Sequence, residues 1–302
     1  MNPIKITFLG TSNAIPTSQR NHPSIHLEWN GEHILLDCGE GTQRQMKKAN
    51  LNPCKLTRIF ITHLHGDHVL GLPGLFETLE MLQYSKTLEI YGPQGTQKHI
   101  SLLQQLYGRF NIKHKVTEIN NHANSIVLET KDFQIQSSHM DHNVPTLAYS
   151  FAIKEKLRIL KSKLKKLKLP NSPLIHKLQQ GHDIVFNGKK IKSSSVTYKQ
   201  EGKRITIILD TKLNNNAISL AKNSDLLVCE STYAQSEKDY ASEYKHLTST
   251  QAATIAKKSK SKKLILTHIA QRYEHNPKII ESEAKKVFKN VSIAKDLDII
   301  KI

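Results

Sequence analysis

Residues 63–68, HLHGDH, set three imidazoles and a carboxylate into six positions, directly after the apolar run RIFI. His63 and His65 stand two apart at the expected end of a strand, where extended backbone sends alternate side chains to the same face. Gly66 permits a sharp turn that returns Asp67 and His68 toward the same point. Neutral imidazole and carboxylate oxygen are good ligands for zinc and similar divalent ions. Four donors from one loop suit two neighbouring ions better than one tetrahedral zinc.

A two-ion centre needs donors from elsewhere, and three other expected strand ends carry them. SSHMDHN offers His139, Asp141 and His142, IILDTK offers Asp210, and LILTHIAQ offers His268. Asp210 and His268 each follow an apolar run, which puts them at the rim of a core, where α/β folds assemble their sites. Taken singly, such a histidine is usually satisfied by ordinary hydrogen bonds, and such an aspartate can simply start a turn. The HxHxDH spacing and the repeated strand-end context single the set out. Spacing leaves His139 and His142 as alternatives.

The elements that would position these groups alternate. Strands are expected at 5–10, 24–29, 33–41, 56–63 and 88–93, with helices over 42–50, 70–84 and 96–110. The middle reads as β: 125–130, 133–142 and 146–154. After a polar, Lys-rich stretch, strands and helices resume from 204, with helices at 248–260 and 277–288 and one last strand over 291–300. Two βα-rich halves therefore bracket a basic insert at 155–200. That order predicts an α/β fold, a four-layer αββα sandwich, in a single domain spanning 1–302 with the insert as a protruding arm.

The chain has 302 residues and a formal net charge of +18, which favours a polyanionic partner such as nucleic acid or an anionic membrane face. A lysine-biased composition alone would also raise the charge, so clustering is the sharper signal. Residues 154–168, KEKLRILKSKLKKLK, carry eight Lys or Arg against Glu155 alone. A second cluster is KKSKSKK at 257–263. Leu157, Leu160, Leu164 and Leu167 recur at helical spacing among Lys161, Lys163, Lys165, Lys166 and Lys168, which predicts an amphipathic basic helix. No apolar run approaches a membrane span. The start MNPIKITFLG reads as a strand and not as a signal peptide. Cys38, Cys54 and Cys229 are too scattered for a disulfide framework. A cytoplasmic protein is expected.

HxHxDH preceded by LLDCGEGTQRQ resembles the metallo-β-lactamase superfamily. Within it the chain is similar end to end to the tRNase Z (ribonuclease Z) family, through LGTSNAIPTSQRN, DCGEGTQRQ, FITHLHGDHVLGLPGL, LDTK, KHLTSTQAA and LTHIAQRY. The resemblance implies a zinc-dependent endoribonuclease that removes the 3′ trailer from precursor tRNA. It implies one zinc on His63, His65 and His142, a second on Asp67, His68 and His268, and Asp210 between them. Ligands of this kind also accept manganese. Asp37 would support the histidine loop. A hydroxide generated between the ions would attack phosphorus in line, leaving a 3′-hydroxyl on the tRNA and a 5′-phosphate on the trailer. Asp67 would hold the water proton, His246 would protonate the leaving oxygen, Glu230 would orient His246, and Arg272 would bind a backbone phosphate.

The insert corresponds by the same resemblance to the arm that grips the tRNA body, with its lysines on phosphates. The short form of the family pairs as a homodimer, one subunit's arm serving the other's active site. The sequence departs from the family pattern at Asn171-Ser172-Pro173, where many members have Gly-Pro, and at Ser18, where Lys is usual. Two alternatives keep their place. One is a general phosphodiesterase or 3′-end-trimming RNase on the same zinc chemistry. The other is a nucleic-acid-binding protein with a structural metal, which a complete two-ion donor set disfavours because structural zinc is usually mononuclear and closed.

Overall fold

The computed structural model describes residues 2–108, 110–120 and 124–302. Met1 and Arg109, which fall in the stretches read above as the first strand and the helix over 96–110, lie outside the described residues. The chain divides into two compact units. The larger comprises Met1–Leu128, Ile135–Phe151 and Arg204–Ile302; the smaller comprises Glu129–Gln134 and Ala152–Lys203.

Two seven-stranded sheets are present among the described residues. The first runs Ile299–Lys301, Lys5–Gly10, Ser24–Trp29, Glu32–Leu36, Arg58–Phe60, Leu88–Gly92, His114–Glu118. Its first four strands pair antiparallel and the rest parallel. The second runs Val291–Ile293, Leu264–Thr267, Leu226–Glu230, Lys203–Ile208, Thr146–Ile153, Phe133–Met140, Ser125–Glu129, and its first four strands are parallel. The sheets face each other through aromatic rings. Phe60 meets Tyr149 edge-on at 5.1 Å, Trp29 meets Phe151 at 6.0 Å, and the Tyr149 hydroxyl donates to the Ile61 carbonyl at 2.6 Å.

Helices cover the outer faces, giving the αββα order. Against the first sheet, helix Leu72–Met81 buries Leu72, Leu75, Phe76 and Leu79 at i, i+3, i+4 spacing. Against the second, helix Ser249–Lys258 buries Ala252, Ala253, Ile255 and Ala256. A reciprocal cap starts that helix: the Gln251 amide donates to the Thr248 hydroxyl and the Thr248 amide to the Gln251 side chain, which satisfies two orphan donors.

The expected last strand over 291–300 is in fact two. Val291–Ile293 runs parallel to Leu264–Thr267 in the second sheet, and Ile299–Lys301 pairs with Lys5–Gly10 in the first. The chain crosses between sheets because Asp296 is drawn into polar contacts there. It accepts from the Thr11 hydroxyl at 2.7 Å, the Asn21 amide at 2.7 Å and the Gln45 side chain at 2.9 Å. Leu297 turns the chain with φ of 68°.

The smaller unit also departs from expectation. Its leucine stripe does not lie on one helix. Leu157 sits in strand Lys156–Ile159, paired with Lys199 of strand Thr197–Gln200, and the helix is only Lys161–Lys166. Pairing to a strand beyond Val196 outcompetes helical propensity over 156–159. Of the four leucines only Leu164 packs on the small core of Leu169, Leu178, Ile184, Ile191 and Val196. Lys161, Lys163, Lys165 and Lys166 are exposed. The hairpin Ile184–Phe186 to Lys189–Ile191 closes through Asn187 and Gly188, both at positive φ, the pair this turn favours. Among the described residues no helix is long and apolar enough to cross a membrane.

One buried histidine gives the first sheet a pH dependence. His26 is 1 % exposed and its ring lies 3.3 Å from the His33 ring nitrogen. Burial pushes its pKa down to about 3, with His33 and Lys5 adding to the shift. In the unfolded chain the ring protonates near 6.5. Stability from this group is therefore whole above pH 6.5 and is lost progressively as pH falls toward 3. His26→Gln should flatten the acid side of the stability profile by up to about 1.4 kcal/mol per pH unit, read from urea midpoints at successive pH values.

Candidate metal centre

The donors meet at the C-terminal ends of strands from both sheets. Asp37 follows Glu32–Leu36, the histidine loop follows Arg58–Phe60, His142 follows Phe133–Met140, Asp210 follows Lys203–Ile208, and His268 follows Leu264–Thr267. Two loops are clamped together to shape the site. The Cys38 amide donates to the His68 carbonyl at 2.8 Å and the Gly71 amide to the Cys38 carbonyl at 2.9 Å. A Cβ on Gly71 would lie 2.1 Å from the Gly39 carbonyl oxygen, so only glycine allows this approach. Gly66 opens a single helical turn, Gly66–Val69, that carries Asp67 and His68 inward.

Two donor groups result, sharing one residue. His63, His65, His142 and Asp210 bring their ligand atoms within 4.8 Å of one another, and so do Asp67, His68, Asp210 and His268. Asp210 Oδ2 lies 3.6 Å from His63 Nε2 and 3.8 Å from His142 Nε2. Its Oδ1 lies 3.1 Å from His268 Nε2 and 3.5 Å from His68 Nε2. Each oxygen of this 3 % exposed carboxylate thus faces a different group. His139 is in neither group, and Asp141 turns away to Lys245 at 3.1 Å.

The residues fit a pair of cations. His68 Nε2, Asp210 Oδ1 and His268 Nε2 are buried and make no hydrogen bond, yet all three point into the second group. Such atoms are costly unless something else satisfies them. Asp37, Asp210 and Glu230 are buried and Asp67 is half-buried, so four carboxylates crowd one pocket. Divalent ions offset that charge.

Neighbours fix how each imidazole presents itself. Asp37 is fully buried at φ of 56° and accepts from the Thr62 amide and hydroxyl, both at 2.7 Å. Its Oδ2 lies 2.6 Å from His68 Nδ1 and holds a ring proton there, so that Nε2 is the nitrogen that would face a bound cation; burial acts to lower the His68 pKa, but Asp210 and Asp37 raise it well above the ordinary imidazole value. On the opposite side the Thr232 hydroxyl donates to Glu230 at 2.6 Å and so accepts from His268 Nδ1 at 2.9 Å, again freeing Nε2. Thr62 and Thr232 were not singled out from the sequence. Their only signal was a hydroxyl next to a candidate donor at a strand end.

A third group joins Glu230, His246 and His268. Glu230 accepts from the Thr211 amide at 2.8 Å and from His246 Nδ1 at 3.1 Å. Burial would lower the His246 pKa, but Glu230 and Asp210 outweigh it and raise the ring to about 9. For Asp210 burial acts to raise the pKa, and the surrounding histidines, His268 first, hold it well below the carboxylate range. Burial pushes the His63 and His142 imidazoles down, toward the neutral form that binds metal. Arg272 is half-exposed, pairs with Glu237, and lies with its guanidinium carbon 5.7 Å from the Tyr233 ring centre.

A family model described as anti-Pycsar protein Apyc1 matches residues 4–282. Ribonuclease Z of Enterococcus faecalis is 38% identical over 308 aligned residues, covering 99% of this chain and 97% of that protein. Ribonuclease Z of Methanothermobacter thermautotrophicus is 38% identical over 301, with 99% and 97% covered. The chain belongs to both of these families, that of the Apyc1 model and that of ribonuclease Z. Human tRNase Z, short form, is 27% identical with a TM-score of 0.71, covering 98% of each chain. The metallo-β-lactamase fold protein YhfI of Bacillus subtilis superposes with a TM-score of 0.73 at 19% identity, covering all of both chains, a likeness of fold. The two sheets, the helical layers and the paired donor groups of this ribonuclease Z family member are thus those of a metal-dependent phosphodiester hydrolase.

Asp37 touches neither Asp210 nor His268 directly, so its removal tests the tautomer argument. Asp37→Asn should weaken divalent-ion binding by about 10- to 100-fold, measured by competition with a chromophoric chelator.

Proposed function

We propose that this protein removes the 3′ trailer from precursor tRNA by hydrolysis at a two-metal centre. The observation that carries the reading is the pair of donor groups joined through the two oxygens of Asp210, in a chain similar over its whole length to ribonuclease Z. One ion is assigned to His63, His65 and His142, the other to Asp67, His68 and His268, with zinc as the resident metal and manganese as its substitute. When bound, two such ions lower the pKa of water and neutralise charge on phosphoryl oxygens.

The side chains do the remaining work. Burial tends to raise the Asp67 pKa, but contacts with His268 and His68 reverse this, so its carboxylate is ionised and accepts a hydrogen bond that orients the attacking water. As water adds to phosphorus, the bond to the 3′-oxygen breaks and that oxygen needs a proton. His246 keeps Nδ1 on Glu230 and turns Nε2 to the leaving group. Glu230, itself held by Thr211 and Thr232, sets the angle of that ring. The products are a tRNA with a 3′-hydroxyl and a trailer with a 5′-phosphate.

Lys161, Lys163, Lys165 and Lys166 are assigned to phosphates of the tRNA body, contacts that position the substrate without reading bases. Their helix is short and all four lysines are exposed, with Lys163 Nζ also donating to the Ser195 carbonyl at 2.7 Å, and the chain's +18 charge supports a polyanion. Arg272 is assigned to a phosphate near the cut. A homodimer in which one subunit's arm serves its partner, working in the cytoplasm, completes the reading.

Incubation with a precursor tRNA and mapping of product ends should give one cut at the trailer junction for wild type and none for His65→Ala; binding without cleavage by both would replace the enzyme with a nucleic-acid-binding protein. Affinity for mature tRNA should fall on the order of 10³-fold between about 50 and 200 mM salt for six phosphate contacts. Replacing Lys161, Lys163, Lys165 and Lys166 by glutamine should reduce the slope of log affinity on log salt by about 0.7 to 0.9 for each lysine engaged. An unchanged slope would return the helix to a merely solvated face.

A further inference from the structure

From His246 a file of rings leads through buried Tyr233 to two exposed tyrosines. The Tyr233 ring centre lies 6.1 Å from that of His246. The Arg272 guanidinium carbon lies 5.7 Å from the Tyr233 ring centre and 6.0 Å from that of Tyr240. Tyr240 and Tyr244 then lie nearly parallel, 10° apart in plane and 6.3 Å between centres. Tyr240 is on helix Lys238–Glu243 and Tyr244 caps it, so their i, i+4 spacing puts both on one face. They are 51% and 48% exposed, which leaves ring surface open to solvent.

We propose that Tyr240 and Tyr244 form a stacking ledge for the base of the nucleotide whose 3′-oxygen leaves during cleavage. The inference rests on the precursor-tRNA reading and on His246 facing that oxygen. The side is set by chemistry. His246 protonates the oxygen that stays with the tRNA, so the file that begins at His246 follows the nucleotide upstream of the cut. Stacking is the term that fits. Lys238 and Lys245 offset Asp239 and Glu243 on the same segment, and Glu237 pairs with Arg272, so the ledge has little net charge of its own. The guanidinium between Tyr233 and Tyr240 holds ring orientation in advance, which lowers the entropy lost on binding. Aromatic faces accept any base, as a processing enzyme with many tRNA substrates needs.

The test uses the metal-loaded protein and an RNA hairpin precursor with 2-aminopurine immediately upstream of the cut and a methylphosphonate at the scissile linkage. Wild type should quench the probe on binding. Tyr240→Ala with Tyr244→Ala should leave it bright and raise KM for precursor tRNA on the order of 10- to 100-fold, with a smaller effect on kcat. Tyr240→Phe with Tyr244→Phe should restore both, since the rings and not the hydroxyls act. Quenching by the alanine variant, or equal loss in the phenylalanine variant, would overturn the ledge. Wild type that quenches the probe but does not cut precursor tRNA would keep the ledge and remove the substrate reading. Wild type that cuts but does not quench would do the reverse.

Discussion

Asp210 is the hinge of the structure's chemistry. It is a carboxylate taken out of water and aimed, one oxygen each, at two clusters of imidazole nitrogen. Burying a charge is expensive, and burying it beside Asp67, Asp37 and Glu230 is more so. The cost is met by neighbours that carry or attract positive charge: histidines on every side, and room for cations between them. The arrangement is held by the backbone of both sheets, and His68 Nε2, Asp210 Oδ1 and His268 Nε2, which make no hydrogen bond, suit a centre built to hold divalent metal.

That backbone supports the site in a specific way. The parallel strands bring their C-terminal ends to one rim, and the facing aromatic layer of Phe60, Tyr91, Tyr149 and Trp29 locks the two sheets in register. The Tyr149 hydroxyl bonds the carbonyl of Ile61, two residues before His63, so the core layer reaches directly into the histidine loop. Asp37 and His268 both occupy the left-handed region, with φ of 56° and 59°. Two non-glycine residues in that conformation at one centre indicate that side-chain hydrogen bonds, Thr62 donating to Asp37 and His268 donating to Thr232, outweigh a backbone cost of order 1 kcal/mol each.

The parts of this arrangement that a sequence can show are those with local pattern. HLHGDH, and an aspartate or histidine just after an apolar run, mark side chains that do come together, since strand periodicity and strand ends are written in consecutive residues. Helix Ser249–Lys258 falls inside the expected segment 248–260. The crossing of 291–300 between sheets was not legible, because it depends on Asp296 finding Thr11, Asn21 and Gln45, residues far off in the chain. The leucine spacing at 157–167 misled because a strand partner some forty residues later decides the conformation of 156–159. His139 and His142 could be told apart only by the family resemblance, since the bend after Met140 that swings one inward leaves no periodic trace.

His246 belongs to a different class. It comes from a loop between helices, after Lys245 at φ of 55°, and owes its placement to Glu230 at a strand end. Metal-binding side chains anchored at strand ends have little freedom. In the proposed role of proton donor, a loop residue tied by one carboxylate can adjust to a substrate atom that arrives with the RNA. The segment that carries it also carries Tyr240 and Tyr244. The loop residue His246 and the two tyrosines thus share one short segment, while the donor groups are fixed by strand ends of both sheets.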